Sequence, residues 1–291
     1  MTLKLAVSTV AFRGMQIETI IALALKEKLT IEFSSGLPYR EDMEQIYLEA
    51  PIIRLPHNYF PAPEKPFVLN LASLNDEIAE KSLNHCIRGL KLCVASGAPF
   101  FSVHAGFCID PSPNELGREF KGLSSEGRNA YWSQFTSNIR KLVQEAQKLD
   151  VKLFIENNVC IKANIQPDGS SPLLCTDSQE IIKLINEIDN PTLGVLIDTG
   201  HLKVSAATFG FSKTEFIKSI SSYIGAFHHS DNNAEVDSNF GLGDDYWFLP
   251  FMNDFIDRYH ILEICDQSTD QIQRQFNLLR RSCNFGGGIK S

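Results

Sequence analysis

No stretch of the 291 residues reaches the roughly 18 consecutive apolar positions that a membrane-spanning helix needs, and runs such as Leu193–Ile197 are strand-sized. The N-terminus, Met-Thr-Leu-Lys, passes directly into a strand pattern. It has neither a basic region with a long apolar segment nor a small-residue cleavage site, so no export signal is expected. There is no C-x-x-C pair, and the cysteines are odd in number (86, 93, 108, 160, 175, 265 and 283). This argues against a disulfide framework or a cysteine-rich zinc knuckle and favours a reducing cytoplasm. The turn after the first strand pattern reads Ser-Thr-Val-Ala-Phe-Arg-Gly instead of G-x-G-x-x-G, so no phosphate-cradling dinucleotide loop is expected. Positive charge is also short. Lys plus Arg total 27 against 35 Asp plus Glu, a formal net charge of −8, and a surface of that sign repels polyanions on average. Nucleic acid is therefore a disfavoured partner.

What is present is an ordinary globular mixture, 43% hydrophobic and 21% charged, which excludes disorder and coiled coil. Short β-branched or aromatic runs occur at Leu3–Phe12, Thr30–Ser35, Ile52–Tyr59, Phe100–Phe107, Val151–Asn157, Leu193–Thr199, Ile224–Ser230 and Ile261–Cys265. Helical spacing follows them at Ile17–Lys28, Arg40–Glu49, Ser73–Ser96, Ser125–Leu149, Ser178–Glu187, Lys213–Ser222, Tyr246–Arg258 and Gln271–Arg281. Eight alternating pairs without a Gly/Pro/Ser-rich linker predict an α/β fold, a (β/α)₈ TIM barrel, as a single domain over 1–291, with 284–291 a frayed tail. Three long insertions, Pro61–Leu71, Cys108–Ser124 and Asn158–Thr176, all follow strands. In a barrel they lie on the C-terminal face, where active sites are built.

Ionisable residues stand where apolar strands end: His57, His104, Glu156, Asp198 with His201, His228 or His229, and Glu263. Any one of these alone is ordinarily a hydrogen-bonded or half-exposed side chain. Five of the seven histidines and three carboxylates on six strand ends are another matter, because burying several acids near one point is costly unless a cation neutralises them. Carboxylate plus imidazole donors suit one divalent ion, Mn²⁺, Mg²⁺, Co²⁺ or Zn²⁺, and the cysteines read as small apolar fillers. His228 and His229 are adjacent, so at most one faces the lumen. His85, inside a predicted helix, and His260, just before the last strand, read as structural.

The ordered set Val-His-Ala-Gly, Ile-Glu-Asn, Ile-Asp-Thr-Gly-His-Leu, Phe-His-His-Ser-Asp and Leu-Glu-Ile resembles the xylose isomerase-like barrel superfamily of sugar and sugar-phosphate isomerases and epimerases, which also contains endonuclease IV. The resemblance implies a metal held by Glu156, Asp198, His228 and Glu263, and its His-x-x-Asp pattern selects His228, three residues before Asp231. It further implies that Glu156 and Glu263 are the base and acid moving a proton beside a carbonyl, with the metal polarising that carbonyl and stabilising an enediolate. His201, His57 and His104 would bind a small sugar or polyol substrate.

Endonuclease IV is the rival, since its strand-end residues are retained here; its Asp-x-His pattern, however, appears as Asp237-Ser238-Asn239. Some ketose epimerases place a second glutamate six residues after the first ligand, where this chain has Lys162, so a dehydratase of the inosose or dehydroshikimate type is an alternative. Only Lys203 and Lys213 lie on the sixth loop and helix, which favours an unphosphorylated substrate. A homo-oligomer is left open.

Overall fold

The computed structural model describes residues 3–116, 118–120 and 126–283. The expected frayed tail 284–291 and the expected helix start at Ser125 lie outside the described residues. Eight parallel strands are present, β1 Lys4–Ser8, β2 Ile31–Phe33, β3 Arg54–Pro56, β4 Phe100–His104, β5 Lys152–Glu156, β6 Leu193–Asp198, β7 Ile224–His229 and β8 Tyr259–Leu262. They pair in the order β3-β2-β1-β8-β7-β6-β5-β4, and the two ends of that sheet meet through one parallel bridge, His57 to Ser102. The result is a nearly closed TIM barrel. A parallel strand covered on both faces must be apolar throughout, and all six residues of β6 are buried.

Among the described residues the helices are α1 Ile17–Glu27, α2 Met43–Glu49, α3 Asp76–Ser96, α4 Arg128–Lys148, α5 Ser178–Ile188, α6 Thr199–Phe209, α7 Lys213–Ile220 and α8 Thr269–Ser282. Their limits have local causes. Asn75 caps α3 by accepting from the amides of Glu77 and Ile78, and Gly97 ends it in the left-handed region at φ 72°. Ser268 and Gln271 form a capping box on α8.

Two expectations need correction. The predicted helix Tyr246–Arg258 is a chain of turns with a single 3₁₀ segment, Leu249–Phe251. Pro250 sits inside it and can neither donate an amide hydrogen bond nor share a helix interior. Instead of a helix, Tyr246, Phe248 and Phe255 cover β7, with Phe248 and Phe255 rings 4.7 and 4.9 Å from Phe227. Conversely, α6 was not predicted, because it starts directly on Asp198, the last residue of β6, and buries Thr199 through Leu202 without a break, leaving no amphipathic period to read. A smaller difference concerns His260, which lies inside β8.

The barrel core is one large apolar cluster. A second, separate cluster of Val68, Phe107, Ile109, Cys160 and Leu173 lies under the loops that follow β3, β4 and β5. All seven cysteines are free, and no described helix is long and apolar enough to cross a membrane.

Candidate active site

The barrel brings every predicted site residue to one place. Glu156, at the end of β5, is its centre and is fully buried. Its Oε2 lies 3.3 Å from His57 Nε2 and 3.7 Å from His104 Nε2, and its Oε1 lies 3.4 Å from His228 Nδ1 and 3.7 Å from His201 Nδ1. One oxygen or ring nitrogen from each of Glu156, Asp198, His228 and Glu263 falls within 4.8 Å of the others. His228 Nδ1 approaches Glu263 Oε2 at 3.0 Å and Asp198 Oδ2 at 4.0 Å. It nevertheless makes no hydrogen bond, and neither do Glu156 Oε1 and Oε2 or Asp198 Oδ2. Buried polar atoms are almost always paired, so four unpaired ones converging on a point mark a position that a cation fits.

The supporting contacts fix each ring. His57 Nδ1 is 2.8 Å from Ser102 Oγ across the bridge that closes the barrel. His201 donates Nδ1–H to the Asn157 carbonyl (2.9 Å) and turns Nε2 toward Asp237 Oδ2 at 3.3 Å. Asp198 divides its oxygens: Oδ1 accepts the His201 amide at 2.7 Å and so caps α6, leaving Oδ2 for the cluster. The glycine of Asp-Thr-Gly-His is needed for space, since a Cβ on Gly200 would collide with the Ser230 hydroxyl.

On β7 the alternation resolves the adjacent pair: His228 enters the lumen, and His229 points outward to Tyr246 Oη (2.9 Å) and His260 Nδ1 (2.8 Å). Sequence reasoning missed one partner and the role of another, Asp237, which it read only against the endonuclease pattern. Glu32 on β2, fully buried, sits with Oε2 3.0 Å from His228 Nε2. As the acceptor it takes the Nε2–H and leaves Nδ1 as the nitrogen that faces the carboxylates. The only signal was that a barrel strand has no solvent-facing side, so the Glu of Ile-Glu-Phe had to be buried or lumenal. Asp237 is the other; Asn239, its amide nitrogen turned toward that carboxylate, donates to both oxygens at 3.2 Å.

The electrostatics follow from this crowding. Burial alone pushes Glu156 up, but the His104, His228 and His57 imidazoles outweigh it and hold the carboxyl well below its ordinary value. Glu263 behaves alike: burial raises it, and His228 brings it down to about 2. Asp198 goes the other way. Burial is the largest influence, and repulsion from Asp237, Glu263 and Glu156 outweighs His201, so its carboxyl is raised well above the usual range. Burial disfavours charge on His228, yet Glu32, Glu263 and Glu156 raise it well above an ordinary histidine.

A barrel with histidines and carboxylates gathered at the C-terminal strand ends defines a class of protein, and the comparisons with known proteins agree. Residues 27–282 match the family described as xylose isomerase-like TIM barrel, and the chain belongs to that family. Among curated relatives, a probable endonuclease 4 of Thermoplasma volcanium is 24% identical over 178 residues, which are 60% of this chain and 52% of the relative. The chain thus spans about half the length of the curated relatives it matches. The fold matches a D-tagatose 3-epimerase-like protein with TM-score 0.71 and 14% identity, covering 97% of both chains. It also matches an L-ribulose 3-epimerase with TM-score 0.67 and 13% identity over the full length of each.

Proposed function

We propose that the protein is a divalent-metal-dependent sugar or polyol isomerase/epimerase, acting by proton transfer at a carbon beside a carbonyl. The observation that carries this reading is the buried convergence of Glu156, Asp198, His228 and Glu263 with their unpaired atoms. Those four residues would hold the ion, whose contribution when bound is Lewis-acid polarisation of the substrate carbonyl. Glu156 and Glu263 stay ionised at neutral pH, each able to take a proton from carbon on one side of the substrate and return one on the other. His57, His104 and His201 surround Glu156 and would line the substrate-binding side of the site. An unphosphorylated substrate is supported by Lys203, which is held by Asp231 at 2.6 Å, and by Lys213, which lies over the Trp247 ring at 4.7 Å.

The test is deuterium uptake from D₂O into a panel of ketoses, inososes and dehydroshikimate-like acids by protein loaded with Mn²⁺, Mg²⁺, Co²⁺ or Zn²⁺. Glu156→Gln and Glu263→Gln are each expected to lower uptake by about 10²–10⁴-fold; uptake at the wild-type rate would refute the reading. A second reading, a multi-metal phosphodiesterase, draws support from a further donor group, His57, His104 and Glu156, whose ligand atoms also fall within 4.8 Å. Asn239 stands where that chemistry expects a ligand histidine. Two or more tightly bound ions per chain together with cleavage of abasic DNA would favour this second reading over the first.

A further inference from the structure

Glu156, Asp198, His228 and Glu263 stand at the ends of four neighbouring strands, so the three seams between those strands set their spacing. The seam of β7 and β8 is closed by backbone alone, the Glu263 amide donating to the His229 carbonyl at 3.0 Å. At the seam of β5 and β6 a side chain takes over. Asn157 accepts from the Asp198 amide at 2.8 Å and donates to the Asp198 carbonyl at 3.2 Å. The seam of β6 and β7 is the irregular one. Its register shifts between Val195 and Leu196, and β6 gives way to α6 immediately after Asp198, the residue that pairs with His228.

Successive carbonyls of a strand point to opposite neighbours, and that of His229 faces β8, so the His228 carbonyl turns toward β6, which has just ended. The Thr199 hydroxyl stands in for a ladder donor there, 3.0 Å from the His228 carbonyl and 3.3 Å from that of Ser230. Behind it the Tyr246 hydroxyl donates to Thr199 Oγ1 at 2.6 Å. Thr199 and Tyr246 are both buried, so water is not at hand to replace a lost bond. Tyr246 reaches this point because its segment crosses β7 as a chain of turns. A buried threonine that bonds a carbonyl ordinarily contributes stability and nothing more. This one follows Asp198 in the chain and holds the backbone of His228.

Resting on the metal-dependent reading above, we infer that Thr199 and Tyr246 are positioning residues for the ion. Their paired hydroxyls tie the end of β6 to the end of β7 and so fix Asp198 Oδ2 against His228 Nδ1, 4.0 Å apart. Neither side chain is itself a donor to the ion. Without the tie the two strand ends drift, and a coordination shell tolerates only about 0.2 Å of error in its distances.

The experiment measures Mn²⁺ and Zn²⁺ affinity by chelator competition on metal-stripped full chain, with urea midpoints of the stripped proteins alongside. Thr199→Val, Thr199→Ser and Tyr246→Phe are compared with Thr136→Val. Thr136 is also buried, and its hydroxyl bonds the Ser133 carbonyl within α4, so that variant controls for loss of a buried hydroxyl as such. Thr199→Val is expected to weaken binding of both ions about 10–100-fold and Tyr246→Phe about 3–10-fold. Thr199→Ser, which keeps the hydroxyl, and Thr136→Val should each stay within about threefold of wild type, whatever their urea midpoints. Wild-type affinity in Thr199→Val, or an equal loss in Thr199→Ser or Thr136→Val, overturns the inference and leaves the isomerase/epimerase reading standing. Should Thr199→Val fail to fold, Tyr246→Phe decides, and wild-type affinity there overturns the inference. Binding of neither ion by the wild type overturns both the inference and the metal-dependent reading.

Discussion

His228 and His229 are neighbours on β7, both fully buried, and they meet opposite surroundings. On the lumen side His228 faces Glu32, Glu156 and Glu263 and is raised well above an ordinary histidine, although burial works against its charge. On the outer side His229 stacks on Phe227 and His260, and burial followed by repulsion from His260 and His228 lowers it well below. Burial alone therefore does not set the charge of an imidazole; the company it keeps does. The inner face of this strand gathers carboxylates around its imidazole, and the outer face packs its imidazole among aromatic rings.

Substitution should separate the two faces most sharply. His228→Asn is expected to lower affinity for a divalent ion by more than 100-fold, read by chelator competition, with activity falling in parallel. His229→Asn should keep that affinity within a few-fold and appear instead in denaturant unfolding, as a loss of about 1–3 kcal/mol from the broken His260 and Tyr246 contacts. Equal effects of the two variants on metal affinity would erase the distinction. Next in size is Glu32→Gln, which preserves shape but replaces one carboxyl oxygen of the His228 partner by an amide nitrogen. Metal affinity should drop about 10–100-fold with only a modest change in stability.

Acid should sharpen the comparison from the outer side. Burial, chiefly, lowers His260 to about 4, and its two nitrogens are already engaged by His229 and the Phe255 carbonyl. Because the unfolded chain binds this proton more readily, the contribution is complete above about pH 6.5. It is lost progressively as pH falls toward 4, on the order of 3 kcal/mol in all. Urea midpoints across that range, for wild type and His260→Gln, measure it; the variant's curve should be flatter.

These two faces also explain what could be read beforehand. Glu156, Asp198, His228 and Glu263 were legible because an ionisable residue closing an apolar strand contradicts its surroundings. Glu32 was not, because Ile-Glu-Phe has the alternation of an ordinary half-exposed strand, and only closure of the sheet makes the second face a lumen. His260 looked like a residue before a strand, and its partner His229 is 31 positions away, beyond the reach of local pattern. The helix α6 escaped for a related reason: its first turn is buried on all sides, so no period separates an inner from an outer face. Tyr246–Arg258 erred in the opposite sense, since its aromatic spacing imitates a helix that Pro250 forbids.

Asp198 ties one of its oxygens to the start of α6 and leaves the other unpaired beside Glu156, His228 and Glu263. Whatever draws on the free oxygen is thus felt along the helix axis. An ion bound by the free oxygen would therefore load the cap of α6, and on the proposed reading metal addition is expected to raise the hydrogen-exchange protection of the His201 amide.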